Sequence, residues 1–65
     1  MPRDEQFSAA KIIHVLFDGP QRVGDIANLA DLGQSVVSRH LAILRRSGIV
    51  IPERHGQEIY YRVSN

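Results

Sequence analysis

The side chains best placed for chemistry in this 65-residue chain are polar and cationic rather than nucleophilic. Gln34, Ser35, Ser38, Arg39, Arg45 and Arg46 fall, with Ala42, on one side of a helical period. The other side of that period carries Val37, Leu41 and Leu44. Such a polar face can read a DNA duplex. Glutamine pairs with adenine through two hydrogen bonds, arginine pairs with guanine in the same way, and serine serves either base. Val36, if turned outward, would meet a thymine methyl. Arg39 has no acidic residue three or four positions away and is assigned to DNA. Arg45 and Arg46 suit two roles, a solvated helix end favoured by the helix dipole or a contact to the DNA backbone. Arg54 and Gln57 flank a turn, where a backbone contact fits.

Other chemistries find no support. His14, His40 and His55 sit on different elements, and no two have the four-residue spacing of a helical metal site. There is no cysteine, which removes disulfides and thiolate metal ligands. His40 is expected to be a half-buried packing residue, and His14 and His55 to be solvated. The sequence shows no Ser-His-Asp arrangement and no glycine-rich phosphate loop, and its carboxylates are dispersed. No enzyme and no cofactor are expected.

The elements that must hold the polar face follow from periodicity. Ala9, Ile12, Ile13, Leu16 and Phe17 mark a helix over about 7–17, with Asp4 or Ser8 as its cap and Asp18-Gly19-Pro20 as its stop. A second helix spans about 24–30, with Ile26, Ala27 and Leu29 facing inward and Asp25 in its first turn. After a break at 31–33, the third helix covers about 34–46, and Gly48 ends it. The period then drops to two. Ile49 and Ile51, then Ile59, Tyr61 and Val63, mark two short strands over 49–63 joined at His55-Gly56-Gln57-Glu58. Pro52 cannot donate to a ladder, so its strand is short or at an edge there. By parity Tyr61 faces the core and Tyr60 faces out. The fold class is mainly α with a small β-hairpin.

Two short helices separated by a three- to four-residue turn form a helix-turn-helix. The runs Gly19-Pro20, Val23-Gly-Asp-Ile-Ala27, Gln34-Ser-Val-Val-Ser-Arg-His-Leu41, Leu44-Arg-Arg-Ser-Gly-Ile-Val50, Gly56 and Ile59-Tyr-Tyr-Arg-Val63 resemble the ArsR/SmtB-type winged-helix repressors. The resemblance extends from about Phe7 to Val63. It implies a winged helix-turn-helix with its recognition helix at about 34–46. It also implies a β-wing at about 53–59 beside the DNA backbone, and a two-fold dimer on a palindromic operator. Four departures stand out. Asp31 occupies the turn position where the family has glycine, which requires a left-handed backbone that aspartate visits more readily than most residues. Gly33 replaces the serine cap, a change worth only a few tenths of a kcal/mol. Val36 replaces threonine. The family's terminal pairing helix would lie beyond Asn65, the last residue.

Length and charge bound the rest. A single domain of this size buries about 60% of its unfolded surface, and such domains often gain support from a partner chain. Residues 1–32 carry a net charge of −2 and residues 33–65 a net charge of +3, an asymmetry that fits a polyanion partner. Ile12 to Phe17 is too short for a membrane span, and Asp4 and Glu5 sit where a signal peptide is basic. A cytoplasmic location is expected. The first helix offers Phe7, Ala10, Ile13 and Phe17 as a pairing stripe for a homodimer. The expected function is sequence-specific binding of double-stranded DNA in transcriptional repression, with no metal effector. The competing reading is a winged helix used as a protein-interaction module, docking in a larger assembly or pairing with a related regulator.

Overall fold

The computed structural model describes residues 7–64. In chain order come three helices, α1 (Ser8–Leu16), α2 (Val23–Ala30) and α3 (Gln34–Arg46), then two strands, β1 (Val50–His55) and β2 (Glu58–Val63). Each helix lends one face to a common core. Ile12, Val15 and Leu16 come from α1, Ile26, Ala27 and Ala30 from α2, and Val37, Leu41 and Leu44 from α3. Val50 closes the core from β1, with Tyr61 and Val63 packed on it from β2. This is the winged helix-turn-helix. No described helix is long and apolar enough to cross a membrane.

Leu29 does not join this core, contrary to the expectation from its spacing; it is 63% exposed. The inward line of α2 runs through Ile26, Ala27 and Ala30, which places Leu29 about a quarter-turn or more off the buried face. The start of α1 also differs from expectation. Phe7 is its cap residue and makes no side-chain cap bond, while Ser8 is the first helical residue and is wholly buried. Asp4, the other expected cap, lies outside the described residues.

The two helix ends that frame α3 close in the same way. At the end of α2, Asp31 adopts φ 58° and ψ 49°, the left-handed conformation its place in the turn demands. Its N–H donates to the Asn28 carbonyl at 3.3 Å, and the Leu32 N–H donates to Ala27 at 2.9 Å. At the end of α3, Gly48 has φ +80°, with Gly48 N–H to Arg45 at 3.0 Å and Ile49 N–H to Leu44 at 2.9 Å. Both are Schellman closures, which satisfy carbonyls left over at a helix end. The second one corrects the expected strand phase. It consumes Ile49, so β1 starts at Val50, and Val50 rather than Ile49 is buried.

The strands pair from Val50↔Val63 to His55↔Glu58, leaving a two-residue turn at Gly56-Gln57. Gly56 takes φ +65° at the first turn position, where such hairpins favour glycine. On the other side of β2, Gln21 forms a bridge with Tyr61 through bonds of 3.0 and 2.8 Å. The Tyr61 N–H and C=O therefore point toward Gln21, away from its β1 partner Pro52. A proline opposite costs the ladder nothing, because no N–H is needed there.

Alternation gives the wing two faces. The outer one carries Glu53, His55, Glu58, Tyr60 and Arg62, and its charges are paired. Arg62 Nε donates to Glu53 at 2.6 Å, and His55 Nε2 lies 3.7 Å from the same carboxylate. Arg22, at the start of α2, reaches Glu58 and Asp25 at 3.2 Å each and covers the Tyr60 ring at 5.9 Å. His55 meets the other side of this cluster, edge-on to Tyr60 at 5.2 Å. The hydrogen bond from Arg62 holds the Glu53 carboxyl below its ordinary 4.5, and the bonds that Arg22 donates to Glu58 and Asp25 raise Arg22 further into its charged range. The inner face, with Val50, Pro52, Arg54, Ile59, Tyr61 and Val63, turns toward the helices. Ile59 shares this parity but lies beyond the core near the hairpin tip, and stays exposed.

Two measurements check this arrangement. Leu41→Ala, at a fully buried site, lowers the free energy of unfolding by about 2–5 kcal/mol in denaturant titration, whereas Leu29→Ala changes it by about 0.5 kcal/mol or less. Equal effects would contradict the assigned helix phases. In an NMR titration the Glu53 carboxyl responds below its ordinary range, and Arg62→Gln moves it up. Because the folded value is the lower one, the pair's stabilising contribution is complete above the ordinary carboxylate range. It is lost as pH falls through the depressed value. A Glu53 titration indifferent to Arg62→Gln would refute the pairing.

Candidate nucleic-acid interface

The core stripe of α3 leaves its opposite side to solvent, and the wing stands beside it. Between them lies a cleft of about 410 Å³ lined by Ser38, Ala42, Arg45, Arg46 and Tyr61. Its walls contain two guanidinium groups and no carboxylate. Gln34, Ser35, Ser38, Arg39, Arg45 and Arg46 are all exposed on this outer side of α3. Arg54 and Gln57 are exposed at the wing tip, where Arg54 Nε donates to the Gly56 carbonyl at 3.2 Å. Arg54 thus shares the inner wing face with Tyr61, and its charge lies toward the tip.

Val36 is half-buried on the flank of α3 rather than fully outward. His40 lies on the same flank, half-buried, and its Nε2 is enclosed with no hydrogen-bond partner among the described residues. Gln34 stands in the first turn of α3, and its side-chain Nε2 lies 3.3 Å from the position a Cβ on Gly24 of α2 would take. Gly33 caps the helix with φ −70° and ψ 150° and supplies no side-chain bond.

Sequence reasoning missed Tyr61 as a lining residue, because strand parity assigned it to the core. It does both: one part packs on the core and another borders the cleft. It also missed Gln21 and Arg22, which fasten the wing to the helix-turn-helix. Their partners lie 36 to 40 positions away, so only the folded chain brings them together.

The expected pairing stripe on α1 divides. Phe7 and Phe17 are 58% and 69% exposed, and Ala10 is exposed between them. Ile13 instead packs partly against the core. His14 is the exposed residue beside it, edge-on to Phe17 at 6.5 Å. A shallow groove of about 520 Å³ runs between α1 and α2, bordered by Phe7, Ala10, Lys11, His14 and Leu29.

Comparison with known proteins sets this geometry in a family. The chain is 36% identical over 55 residues to the transcriptional activator HlyU of Vibrio cholerae, covering 85% of this chain and 51% of that one. It superposes on the crystal structure of the transcriptional repressor BigR from Xylella fastidiosa with a TM-score of 0.84 and 31% identity, covering 89% of this chain and 57% of BigR. It also superposes on the Zα domain of PKZ from Carassius auratus, solved in complex with Z-DNA. There the TM-score is 0.80 and the identity 29%, over 94% of this chain and 98% of that domain. The chain spans about half the length of the bacterial regulators it matches. Residues 8–51 match the family described as bacterial regulatory protein, arsR family, a class of regulators rather than enzymes. The chain belongs to the arsR family of bacterial regulatory proteins.

Proposed function

We propose that this chain is the DNA-reading domain of a transcriptional repressor that binds a palindromic operator in double-stranded DNA as a homodimer. One observation carries the reading: the cleft between α3 and the wing is lined by Arg45 and Arg46 without an acid, while the wing's carboxylates are paired on the opposite face. A major groove admits one helix, and residues at that helix's N-terminal end reach base edges. Gln34, Ser35, Ser38 and Arg39 then read bases, with Val36 at the margin. Arg45, Arg46, Arg54 and Gln57 hold phosphates. A protein-docking face would show large apolar side chains; here only Ile43, on the flank, is large and exposed on α3. Repression follows from occupancy, since a domain seated on a promoter excludes other proteins. No metal effector enters this reading.

A single module buries about 600–1,000 Å² on DNA, and tight binding at physiological salt calls for two copies on an inverted repeat. Phe7 and Phe17 are the large apolar side chains that α1 leaves exposed. They anchor the two-fold contact, Ala10 lets the helices approach, and Ile13 contributes less because it packs inward.

Titration against duplex DNA at two salt concentrations tests the binding, with right-handed and left-handed duplexes both present as probes. Arg39→Ala costs about 1–3 kcal/mol on the preferred site and relaxes discrimination at one base pair. Arg54→Ala weakens all sequences alike and reduces the salt slope by about one. An Arg39→Ala variant with unchanged affinity and preference would refute the assignment of α3. Sedimentation over a concentration series tests the pairing, where Phe17→Ser shifts the chain from dimer toward monomer. A chain that is monomeric at hundreds of micromolar with or without that substitution would end the dimer proposal.

A further inference from the structure

Gly24 presents a puzzle that the fold does not answer. It is the second residue of α2, and glycine is a poorer helix former than alanine, because it has more freedom to lose on folding. Its backbone does not require glycine either. Among the described glycines, only Gly19, Gly48 and Gly56 take a positive φ. A turn, a bulge and a left-handed cap are therefore all excluded as reasons. Space is what remains. A Cβ placed on Gly24 would meet one neighbour, the side-chain Nε2 of Gln34, at 3.3 Å, tighter than ordinary van der Waals contact. Among the described residues, no other atom outside the local helix comes within 4 Å of that position.

We infer that Gly24 is a notch in α2 that seats the Gln34 amide, making it a positioning residue for whatever base Gln34 reads. The inference rests on the DNA-reading role proposed above and deepens it. A glutamine exposed at the first turn of a helix has three side-chain torsions to fix before both its amide atoms can meet an adenine edge. Lying in the notch restricts those torsions before DNA arrives, so less freedom is lost on binding. The turn between α2 and α3 brings the two residues together. Schellman closure at Asp31 redirects the chain between the two helices, and the Gln34 side chain at the start of α3 comes beside Gly24 in the first turn of α2. A methyl group at position 24 would displace the amide by a few tenths of an ångström or push it out of the notch. The backbone of α2 and the core below it would be untouched.

The test is a double-mutant cycle on Gly24→Ala and Gln34→Ala. The probe is a duplex that the parent chain selects from a randomised pool, together with its single-base variants. Gly24→Ala is expected to lower discrimination about three- to tenfold, at the same base pair that Gln34→Ala affects. In the Gln34→Ala background it is expected to have no further effect. Its Tm rises by about 2–8 °C, as alanine strengthens the helix. Independent, multiplying losses from the two substitutions would overturn the inference, because Gly24 would then be making room for DNA itself. A fall in Tm would also overturn it, showing that the glycine serves backbone or core. If the parent chain selects no duplex, the DNA-reading role fails, and the notch is judged on the free protein. There the NMR signal of the Gln34 side-chain amide shifts in Gly24→Ala while those of Gln21 and Gln57 stay in place. An unmoved Gln34 signal would overturn it.

Discussion

Val37, Leu41 and Leu44 form the seam that joins the first two helices and the start of the wing. All three are buried, and α3 packs through them on α1, on α2 and on the start of β1. Fully burying an aliphatic side chain of this kind is worth about 1.5–3 kcal/mol, a large share of the marginal stability a small domain can hold. The seam fixes more than stability. Once these three face inward, the helical period turns Ser38, Ala42, Arg45 and Arg46 outward toward the wing. The surface chemistry of α3 follows from its core packing, and a slip of one residue in that packing would rotate the whole polar face by about 100°, away from the wing.

A second constraint is the sorting of charge by the wing. Strand alternation places Glu53, Glu58 and Arg62 on one face and Arg54 and Tyr61 on the other. The outer face compensates its own charge, through Arg62 on Glu53 and Arg22 on Glu58. Exposed pairs of this kind add little to stability, so their effect is chiefly geometric. Arg22 begins α2, and its contacts with Glu58 and Tyr60 tie the wing to the helix-turn-helix. The Gln21–Tyr61 bridge does the same through backbone bonds. Together they hold the wing beside α3, keep acids off the cleft wall, and leave the local field there to Arg45 and Arg46.

Periodicity alone made most of the fold legible. The three-four spacing of Val37, Leu41 and Leu44 identified both faces of α3, and the loss of helical period after Gly48 marked the hairpin. Asp31 in the turn dictated a left-handed residue, because the helix-turn-helix leaves no other backbone for that position. Failures came where short elements give periodicity too little length to act on. An eight-residue α2 cannot reveal whether Leu29 or Ala30 faces inward, and alanine at the close helix contact took the place that hydrophobicity assigned to leucine. Ile49 was misjudged because a helix cap, which is local and obeys no strand period, uses it before the strand begins. Of the candidate interface, the exposed polar face of α3 could be read from sequence. Tyr61 on the cleft wall, Arg22 on the wing and Gly24 beneath Gln34 could not, since each gains its meaning from a partner distant in sequence.

The central claim is that the α3–wing cleft is the face that meets DNA. NMR shift mapping of the isotope-labelled chain during titration with duplex DNA tests it most directly, because every face is observed in one experiment. The account predicts that the largest perturbations fall on Gln34, Ser38, Ala42, Arg45, Arg46 and Tyr61, with Arg54 at the wing tip. Glu53 and Arg62 on the outer wing face stay nearly still. Perturbations centred on the outer wing face or on Leu29 and the α1–α2 groove, with the cleft unmoved at saturating duplex, would contradict it.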